Sequence, residues 1–387
     1  MDALRQFVQT EKEHVISDRR HLHRIPETGF NEVKTSAYVA ERLNGLGLEV
    51  QTGIATHGVV GLLRTGKPGL TLMIRADMDA LPITEETGLA FASAHPGCMH
   101  ACGHDSHMAM ALGAAAVLHR LRDRIKGNVK FVFQPAEEGP GGAQPMIEAG
   151  VLENPKVDYA LACHLWSERP EGFIGVRPGA FLAAMDRFDI KIRGKGGHAA
   201  QPHLCVDALE VGTQVVGALQ RIVSRQTNPI EPAVVTVGTF NAGTAFNIIP
   251  AEALLSGTTR TFNEETWTSW ASRLEKVVAG VCEAMGARYE FKFSRGYPAT
   301  VNDAAVADVV RRCAIAVVGE ERVVEPELTM GGEDMSFFLK RAPGCFYCIG
   351  VGREGAAPLH NSKFDFNEDL MLLGVETHCR VALDLLG

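Results

Sequence analysis

The sequence predicts an α/β fold, in which a doubly wound, mostly parallel sheet forms the larger domain and a smaller α+β domain is inserted into it. Two observations lead to this prediction. Short apolar runs alternate with segments of helical spacing in the first part of the chain and again near its end. Between residues 184 and 295 the pattern changes to alternating polar and apolar residues, which is typical of half-exposed strands. A chain of 387 residues can hold both domains.

The elements of the first part follow in chain order. Helices are expected where apolar residues recur at helical spacing, over 3–23, 31–46 and 108–121. The expected strands are short apolar runs, each followed by ionisable residues: 70–76 by Asp77 and Asp79, 129–134 by Glu137 and Glu138, and 157–163 by His164, just past the apolar run. Ligands bind at the carboxyl ends of the strands in such sheets, so these side chains are expected to meet at one rim.

The middle part predicts a separate domain of the β-α-β-β-α-β, ferredoxin-like type. Its expected elements are strands over 186–193, 233–240, 251–262 and 287–293, with helices over 207–224 and 264–285. The two ends of this arrangement lie close together, so the domain can be inserted without interrupting the parent sheet. We place the inserted domain at 184–295 and the parent domain at 1–183 and 296–387.

The parent domain is expected to resume with a helix over 304–318, a strand over 345–350 and a closing helix over 367–386. The loop at 352–363 again follows a strand. His360 in this loop can therefore join the same rim as the other ionisable residues.

Composition excludes several classes of function. The net charge is −8, and no run of Lys or Arg is longer than a pair, so nucleic acid and anionic membranes are not expected partners. The N-terminal residues lack an apolar signal core, and no apolar run is long enough to span a membrane, so we expect a cytoplasmic protein. Nine cysteines, an odd number, indicate reduced thiols or metal ligands rather than a disulfide framework.

A metal site is indicated by Cys102-Gly103-His104, where a thiolate and an imidazole flank a flexible glycine. A buried loop with satisfied histidines is the alternative for this stretch alone. With Glu138, His164 and His360 the set contains one thiolate, three imidazoles and one carboxylate. Such donors suit zinc, manganese, nickel or cobalt better than calcium or magnesium.

Five donors exceed the need of one tetrahedral ion. With one shared ligand they would serve two divalent ions about 3.5 to 4 Å apart, the arrangement of many hydrolases. Mn²⁺ or Zn²⁺ is the first expectation, with Ni²⁺ or Co²⁺ as alternatives. A metal lowers the pKa of its bound water to about 7, and a neighbouring base must take the proton. Glu137 can serve as that base while Glu138 binds metal; a solvated acidic turn is the alternative reading of the pair.

Six motifs resemble the metallopeptidase and aminoacylase family that includes hippurate hydrolases, N-acyl-amino-acid amidohydrolases and indole-acetyl-amino-acid hydrolases. They are His23-Arg24-Ile25-Pro26-Glu27, Arg75-Ala76-Asp77-Met78-Asp79-Ala80-Leu81-Pro82, His100-Ala101-Cys102-Gly103-His104-Asp105, Gln134-Pro135-Ala136-Glu137-Glu138, Gly196-Gly197-His198-Ala199-Ala200 and His360-Asn361. The resemblance implies that Cys102, His104, Glu138, His164 and His360 bind two divalent ions and that Glu137 is the general base. It also implies a catalytic α/β domain with an inserted lid domain that often dimerises.

The sequence follows the cysteine-containing subfamily and departs from the broader family at one strand end. Where other members have a ligand histidine followed by a bridging aspartate, this chain has Arg75 at the histidine position, and Cys102 supplies a thiolate. Asp77 is therefore expected to support the ligands rather than bind an ion. The bridging group and the native metal stay open.

The lid carries a second set of candidates. His198 looks like the family residue that reaches the active site, often from a partner subunit, and stabilises the oxyanion; His203 is the alternative. Asn247 and Arg260 resemble positions that hold the free carboxylate of the substrate, a task for which the guanidinium fork is suited. A strand-end surface charge is the alternative for Arg260. Glu333 and Asp334 recur near the site in family members, with a structural hydrogen-bonding role as an equal alternative.

The sequence therefore predicts a metal-dependent amidohydrolase that cleaves small N-acyl amino acids, of the hippurate or N-acetyl type, into a carboxylic acid and an amino acid. A dipeptidase or aminopeptidase of the same family is the close alternative, distinguished by whether the substrate amine is blocked or free. A non-catalytic ligand-binding relative is the alternative from another class. A homodimer or higher homo-oligomer through the lid is expected from the resemblance, whereas the acyl preference does not follow from the sequence.

Overall fold

The chain forms two units in the computed structural model, which describes residues 3–387. The first unit comprises the described residues up to Phe181 together with Val301–Glu327 and Asp334–Gly387. The second comprises Leu182–Thr300 and the short segment Leu328–Glu333. The sequence does not indicate that this short segment belongs with the second unit, because it lies far along the chain from the rest of it.

The helices and strands are as follows. The helices are α1 (Ala3–Thr10), α2 (Lys12–Arg24), α3 (Val33–Gly45), α4 (His104–Arg120), α5 (Ala143–Glu148), α6 (Ala208–Gln226), α7 (Glu264–Ala284), α8 (Ala304–Val318), α9 (Met335–Leu339) and α10 (Met371–Leu386). The strands are β1 (Glu49–Ile54), β2 (Gly58–Arg64), β3 (Thr71–Asp77), β4 (Asn128–Gln134), β5 (Tyr159–Pro170), β6 (Ile174–Gly175), β7 (Gly179–Leu182), β8 (Ala184–Arg193), β9 (Gly197–His198), β10 (Ala233–Ala242), β11 (Ile248–Ile249), β12 (Glu252–Thr261), β13 (Arg288–Arg295), β14 (Thr300–Asn302), β15 (Val323–Val324) and β16 (Gly344–Gly352).

An eight-stranded sheet in the order β1-β2-β4-β3-β5-β16-β6-β15 organises the first unit. Its central strands β4, β3, β5 and β16 are parallel to one another, while β1, β2 and the β16–β6 pair are antiparallel. Every residue of β3 is buried, as expected of a strand covered on both faces. Helices α4 and α10 pack against β3, and residues 104–118 of α4 are all buried. The predicted α/β class with a mostly parallel sheet is confirmed.

The second unit is built on a four-stranded antiparallel sheet in the order β10-β12-β8-β13. In chain order its elements are β8, α6, β10, β12, α7 and β13, which confirms the predicted β-α-β-β-α-β arrangement. Asp207 and Asn263 cap the two helices, since their side chains accept backbone N–H bonds in the first turn. The fully buried Trp270 is the largest side chain of its core.

Two expectations about the first unit are corrected, and one of its features was not predicted. His164 does not lie past its strand but within β5, because β16 continues the pairing through Cys348 opposite His164. The expected helix over 3–23 is interrupted at Glu11, which separates α1 from α2. The hairpin of β1 and β2 was not predicted, because β1 is largely exposed and carries a weak apolar pattern. Within residues 3–387 no helix combines the length and apolarity needed to cross a bilayer.

Candidate metal centre

Five side chains from separate elements converge at the carboxyl ends of the parallel strands. Cys102 Sγ lies 3.3 Å from His164 Nε2 and 3.2 Å from His360 Nε2, although His360 is 258 residues further along the chain. His360 Nε2 also lies 3.0 Å from Glu138 Oε1. Donor atoms within 4.8 Å of one another form two groups that share the thiol: Cys102 with His104 and His164, and Cys102 with Glu138 and His360.

The histidine rings are oriented as metal ligands require. His104 donates through Nδ1 to the carbonyl oxygen of Asp79 over 2.9 Å, and His164 donates through Nδ1 to the carbonyl of Leu165 over 2.5 Å. A ring held in this way turns the lone pair of Nε2 toward a possible metal. His104 Nε2 is buried and has no hydrogen-bond partner in residues 3–387, so the donor set fits a bound cation.

The electrostatics of this cluster favour positive charge. Burial by itself would lower the pKa of His104, but Asp77, Asp79 and Glu138 outweigh it and raise that pKa to about 10. Burial and the nearby Glu138 and Glu137 raise the pKa of the Cys102 thiol well above its usual value. A divalent cation among these groups would offset the excess negative charge and favour the thiolate.

Glu137 and Glu138 lie in the turn that follows β4, with Glu137 only 7% exposed. Two buried acids hold this turn. The carboxylate of Asp79 accepts the backbone N–H groups of Glu137 and Glu138, both over 3.0 Å. Glu32 Oε1 accepts the N–H of Ala136 over 2.8 Å, and Ala136 itself has a φ of 56°, in the left-handed region. The turn thus presents two adjacent carboxylates from a fixed backbone.

Asp77 lies behind the donor cluster. Its carboxylate accepts from His107 Nδ1 and from Arg75 Nη1, both over 2.6 Å. Although burial opposes it, the charges of His104 and Arg75 hold the pKa of Asp77 well below its usual range. His107 Nε2 in turn accepts the N–H of Leu165 over 3.1 Å, so both of its ring nitrogens are used within the protein. This arrangement supports the elements that carry the donor side chains.

Asp334 connects the strands to the loop after β4. It accepts from Arg75 Nη2 and Gln134 Nε2, each over 2.8 Å, and from the N–H groups of Gly142 and Ala143 at the start of α5. The sequence left its role open, and these contacts are structural. Glu333 belongs to the second unit, where its carbonyl oxygen accepts from Thr300 Oγ1 over 3.5 Å.

In the second unit, β9 pairs with β11 and brings His198 opposite Ile248. His198 is exposed, and its Nδ1 accepts the N–H of Ala200 over 3.0 Å. In the neutral ring the proton then lies on Nε2, which leaves Nε2–H free to donate. The carbonyl of Asn247 accepts the N–H of Ala199, so Asn247 lies beside His198.

Arg260 lies on β12 and donates through Nε to the carbonyl of Met330 over 3.1 Å and through Nη1 to that of Thr259 over 2.9 Å. Of the three guanidinium nitrogens, only Nη2 has no hydrogen-bond partner among residues 3–387. The bidentate contact with a substrate carboxylate that the sequence led us to expect would therefore require one of these bonds to break. His203 lies exposed in the turn between β9 and α6.

Two residues of the site were not recognised in the sequence. Asp79 was expected only as a strand-end carboxylate, and Glu32 was not considered. The position of Asp79 two residues after Asp77 is the one signal that could have suggested a role, since short acids past a strand accept backbone N–H groups readily. No local pattern marks Glu32, because the N–H it accepts belongs to a residue 104 positions away.

Comparisons with known proteins identify the family of this chain. The profile of peptidase family M20/M25/M40 matches residues 73–384. An N-acyl-L-amino acid amidohydrolase from Geobacillus stearothermophilus is 48% identical over 303 residues, which cover 78% of this chain and 81% of the relative. Thermostable carboxypeptidase 1 from Saccharolobus solfataricus is 40% identical over 390 residues, 99% of this chain and 98% of its own. The crystal structure of a dinuclear metal-binding peptidase of the M20 family from Bacillus subtilis has a TM-score of 0.85 at 34% identity, covering 98% of this chain and 99% of that chain.

Proposed function

This chain belongs to peptidase family M20/M25/M40 and is a hydrolase of amide bonds, and we propose that it cleaves N-acyl amino acids into a carboxylic acid and a free amino acid. The observation that carries the proposal is the convergence of Cys102, His360 and Glu138 beside the buried Glu137. Support for an acyl substrate comes from the 48% identity to an N-acyl-L-amino acid amidohydrolase.

We propose that the metal site binds two divalent ions, Mn²⁺ or Zn²⁺ first, with Ni²⁺ or Co²⁺ as alternatives. The ligands are the five convergent side chains, namely Cys102, His104, Glu138, His164 and His360. The sulfur of Cys102 belongs to both donor groups, so Cys102 would help to hold an ion in either of them. When bound, such ions acidify water and polarise the amide carbonyl.

The proton transfers are assigned to Glu137. One of its carboxylate oxygens takes a proton from the attacking water and returns it to the amide nitrogen as the C–N bond breaks. Its backbone N–H is held by Asp79 over 3.0 Å, which fixes the side chain's origin. The side chain is also nearly excluded from solvent, so the proton it carries is retained until the amine leaves.

We propose that His198 stabilises the negative charge that develops on the amide oxygen. Its Nε2–H is the available donor, because Nδ1 already accepts the Ala200 N–H. Arg260 and Asn247 are proposed to hold the free carboxylate of the substrate, with Arg260 donating through Nη2.

The proposal is tested by a panel of N-acyl amino acids with protein that is first stripped by a chelator and then supplied with manganese, zinc, nickel or cobalt in turn. We expect the stripped protein to be inactive and at least one metal to restore release of the free amino acid. Absence of release from every substrate with every metal would refute the proposed activity and leave a ligand-binding role.

A carboxypeptidase or dipeptidase activity is the second candidate, because the chain is 40% identical to a carboxypeptidase along nearly its whole length. Both activities require a free carboxylate on the leaving amino acid. The two activities differ in whether the amine on the acyl side of the scissile amide is blocked or free. The same panel should therefore include dipeptides with a blocked and with a free N-terminus. Faster cleavage of free dipeptides would favour the peptidase.

A further inference from the structure

An aromatic side chain lies next to the candidate metal centre and has no part in it. Trp166 is two residues after His164 on β5, so both side chains point to the same face of the strand. Their ring centroids are 6.0 Å apart, with an interplanar angle of 77°. Trp166 remains partly exposed, whereas residues 160–165 before it are buried.

The indole packs against the buried rings of His164 and Phe181, and Phe346 packs against both of these. Phe181 lies 5.5 Å from Trp166, and Phe346 lies 6.1 Å from Phe181 and 6.2 Å from His164. Both phenylalanines are fully buried. His164, Trp166, Phe181 and Phe346 therefore form a closed circle of contacts in which only Trp166 presents substantial surface to solvent. A ring supported in this way can serve as a rigid binding surface without rearrangement.

Trp166 also stands where a ligand of this sheet would lie. The pairing of β5 with β3 ends at Ala162 opposite Arg75, so Trp166 projects beyond the carboxyl end of β3. Its indole N–H has no hydrogen-bond partner within residues 3–387. The structure thus places an aromatic face with a free donor beside the side chain that we assign as a metal ligand.

We propose that Trp166 forms one wall of the pocket for the acyl group and gives the enzyme a preference for apolar acyl groups, aromatic ones above all. This inference rests on the proposed function, because it assigns the acyl side of the same substrate. An aromatic acyl group would stack on or pack edge-to-face against the indole, whereas an acetyl group offers it only a methyl. Selectivity of this kind depends on contact area, so it is graded rather than absolute.

The test compares kcat/KM for N-benzoylglycine and N-acetylglycine in the wild type, Trp166→Ala and Trp166→Phe. We expect the wild type to favour the benzoyl substrate and Trp166→Ala to lower the benzoyl-to-acetyl ratio by about tenfold. Trp166→Phe should restore most of the ratio because it keeps an aromatic face. Trp267→Phe, a partly buried tryptophan of the second unit that donates to Asp186, is the matched control and should leave the ratio unchanged.

An unchanged ratio in Trp166→Ala would overturn the inference, as would an equal loss for both substrates. A second readout does not depend on turnover: benzoate should quench tryptophan fluorescence of the metal-loaded wild type, acetate should not, and the benzoate effect should be lost in Trp166→Phe. A wild type that cleaves neither of these two substrates nor any other N-acyl amino acid of the panel would refute the proposed function. In that case, quenching by benzoate that is lost in Trp166→Phe would still support Trp166 as an aromatic binding surface. If benzoate did not quench the fluorescence either, the inference about Trp166 would be overturned as well.

Discussion

At the scale of single residues, the hydrogen bonds of the two ring nitrogens decide the role of each histidine. His104 and His164 donate through Nδ1 to backbone carbonyls and keep Nε2 for a ligand. His107, only three residues after His104, uses Nδ1 on Asp77 and Nε2 on the N–H of Leu165. It is therefore a support for the site, although its residue type and position alone would equally suit a ligand.

The first prediction concerns Glu137. Glu137→Gln keeps the size of the side chain but cannot accept a proton, so turnover should fall by about 10²- to 10⁴-fold. The metal content, measured by atomic emission after dialysis, should stay near that of the wild type. His164→Ala should lose both activity and metal. Near-normal turnover in Glu137→Gln would show that another group is the base.

The second prediction concerns the pH dependence of stability at Glu32. Burial, with a contribution from the charge of Asp79, raises the pKa of this carboxyl from 4.5 to about 7. The folded state then binds more protons than the unfolded state between these values. The contribution of Glu32 to stability is therefore fully present below pH 4.5 and is lost as the pH rises through 7. Glu32→Gln keeps an acceptor for the Ala136 N–H but does not ionise, so it should lack this decrease.

Urea unfolding between pH 5 and 8 measures the effect. The difference in unfolding free energy between wild type and Glu32→Gln should change by on the order of 1–3 kcal/mol across this interval, in favour of the variant at high pH. Glu13→Gln, at an exposed position of α2, is the control. Parallel profiles for wild type and Glu32→Gln would contradict the prediction.

At the scale of elements, the site depends on where strands end and how the next segment starts. β3 and β4 end just before Asp79 and Glu137, while β5 continues past His164 because β16 pairs with it. Helix α4 begins at His104, and the preceding Gly103 has a φ of 84°. That left-handed residue lets Cys102 and His104 point to the same cluster, a conformation that costs other residues about 1–2 kcal/mol.

The third prediction follows from this turn. A Cβ at Gly103 would lie 3.0 Å from Leu165 Cδ1, next to the strand that carries His164. Gly103→Ala should therefore lower stability by more than the left-handed backbone alone costs and should weaken metal binding. Gly88→Ala is the matched control, because Gly88 has a φ of 70° with no atom within 4 Å of its Cβ position. Calorimetric metal titration of both variants distinguishes them; equal metal affinities would contradict the expectation.

At the scale of the whole molecule, the second unit carries exposed apolar side chains that its own core does not use. Phe246 is 100% exposed and Ile248 is 55% exposed, and both line a depression of about 660 Å³. β10 is moreover an edge strand of the four-stranded sheet. Surfaces of this kind favour association, so we propose that a second copy of the chain covers this part of the unit.

The fourth prediction tests the proposed dimer. Phe246→Ser combined with Ile248→Ser should shift the protein from dimer toward monomer in sedimentation velocity experiments, because it removes apolar area from the contact. Ile230→Ser is the control, since Ile230 is 87% exposed in the same unit but does not line the depression. A wild type that sediments as a monomer, or a double variant that stays a dimer, would contradict the proposal.

The sequence by itself determined the α/β class, the β-α-β-β-α-β order of the inserted part and the chemical types of the donors. These features are local: periodicity, glycine positions and the residues that follow a strand are all readable within a few residues. The tertiary structure alone decided that His164 lies inside β5, that Asp79 and Glu32 hold the Glu137 turn, and that residues 328–333 join the second unit. Each depends on hydrogen bonds or pairing between segments far apart in the chain, and no local pattern encodes which distant groups will meet.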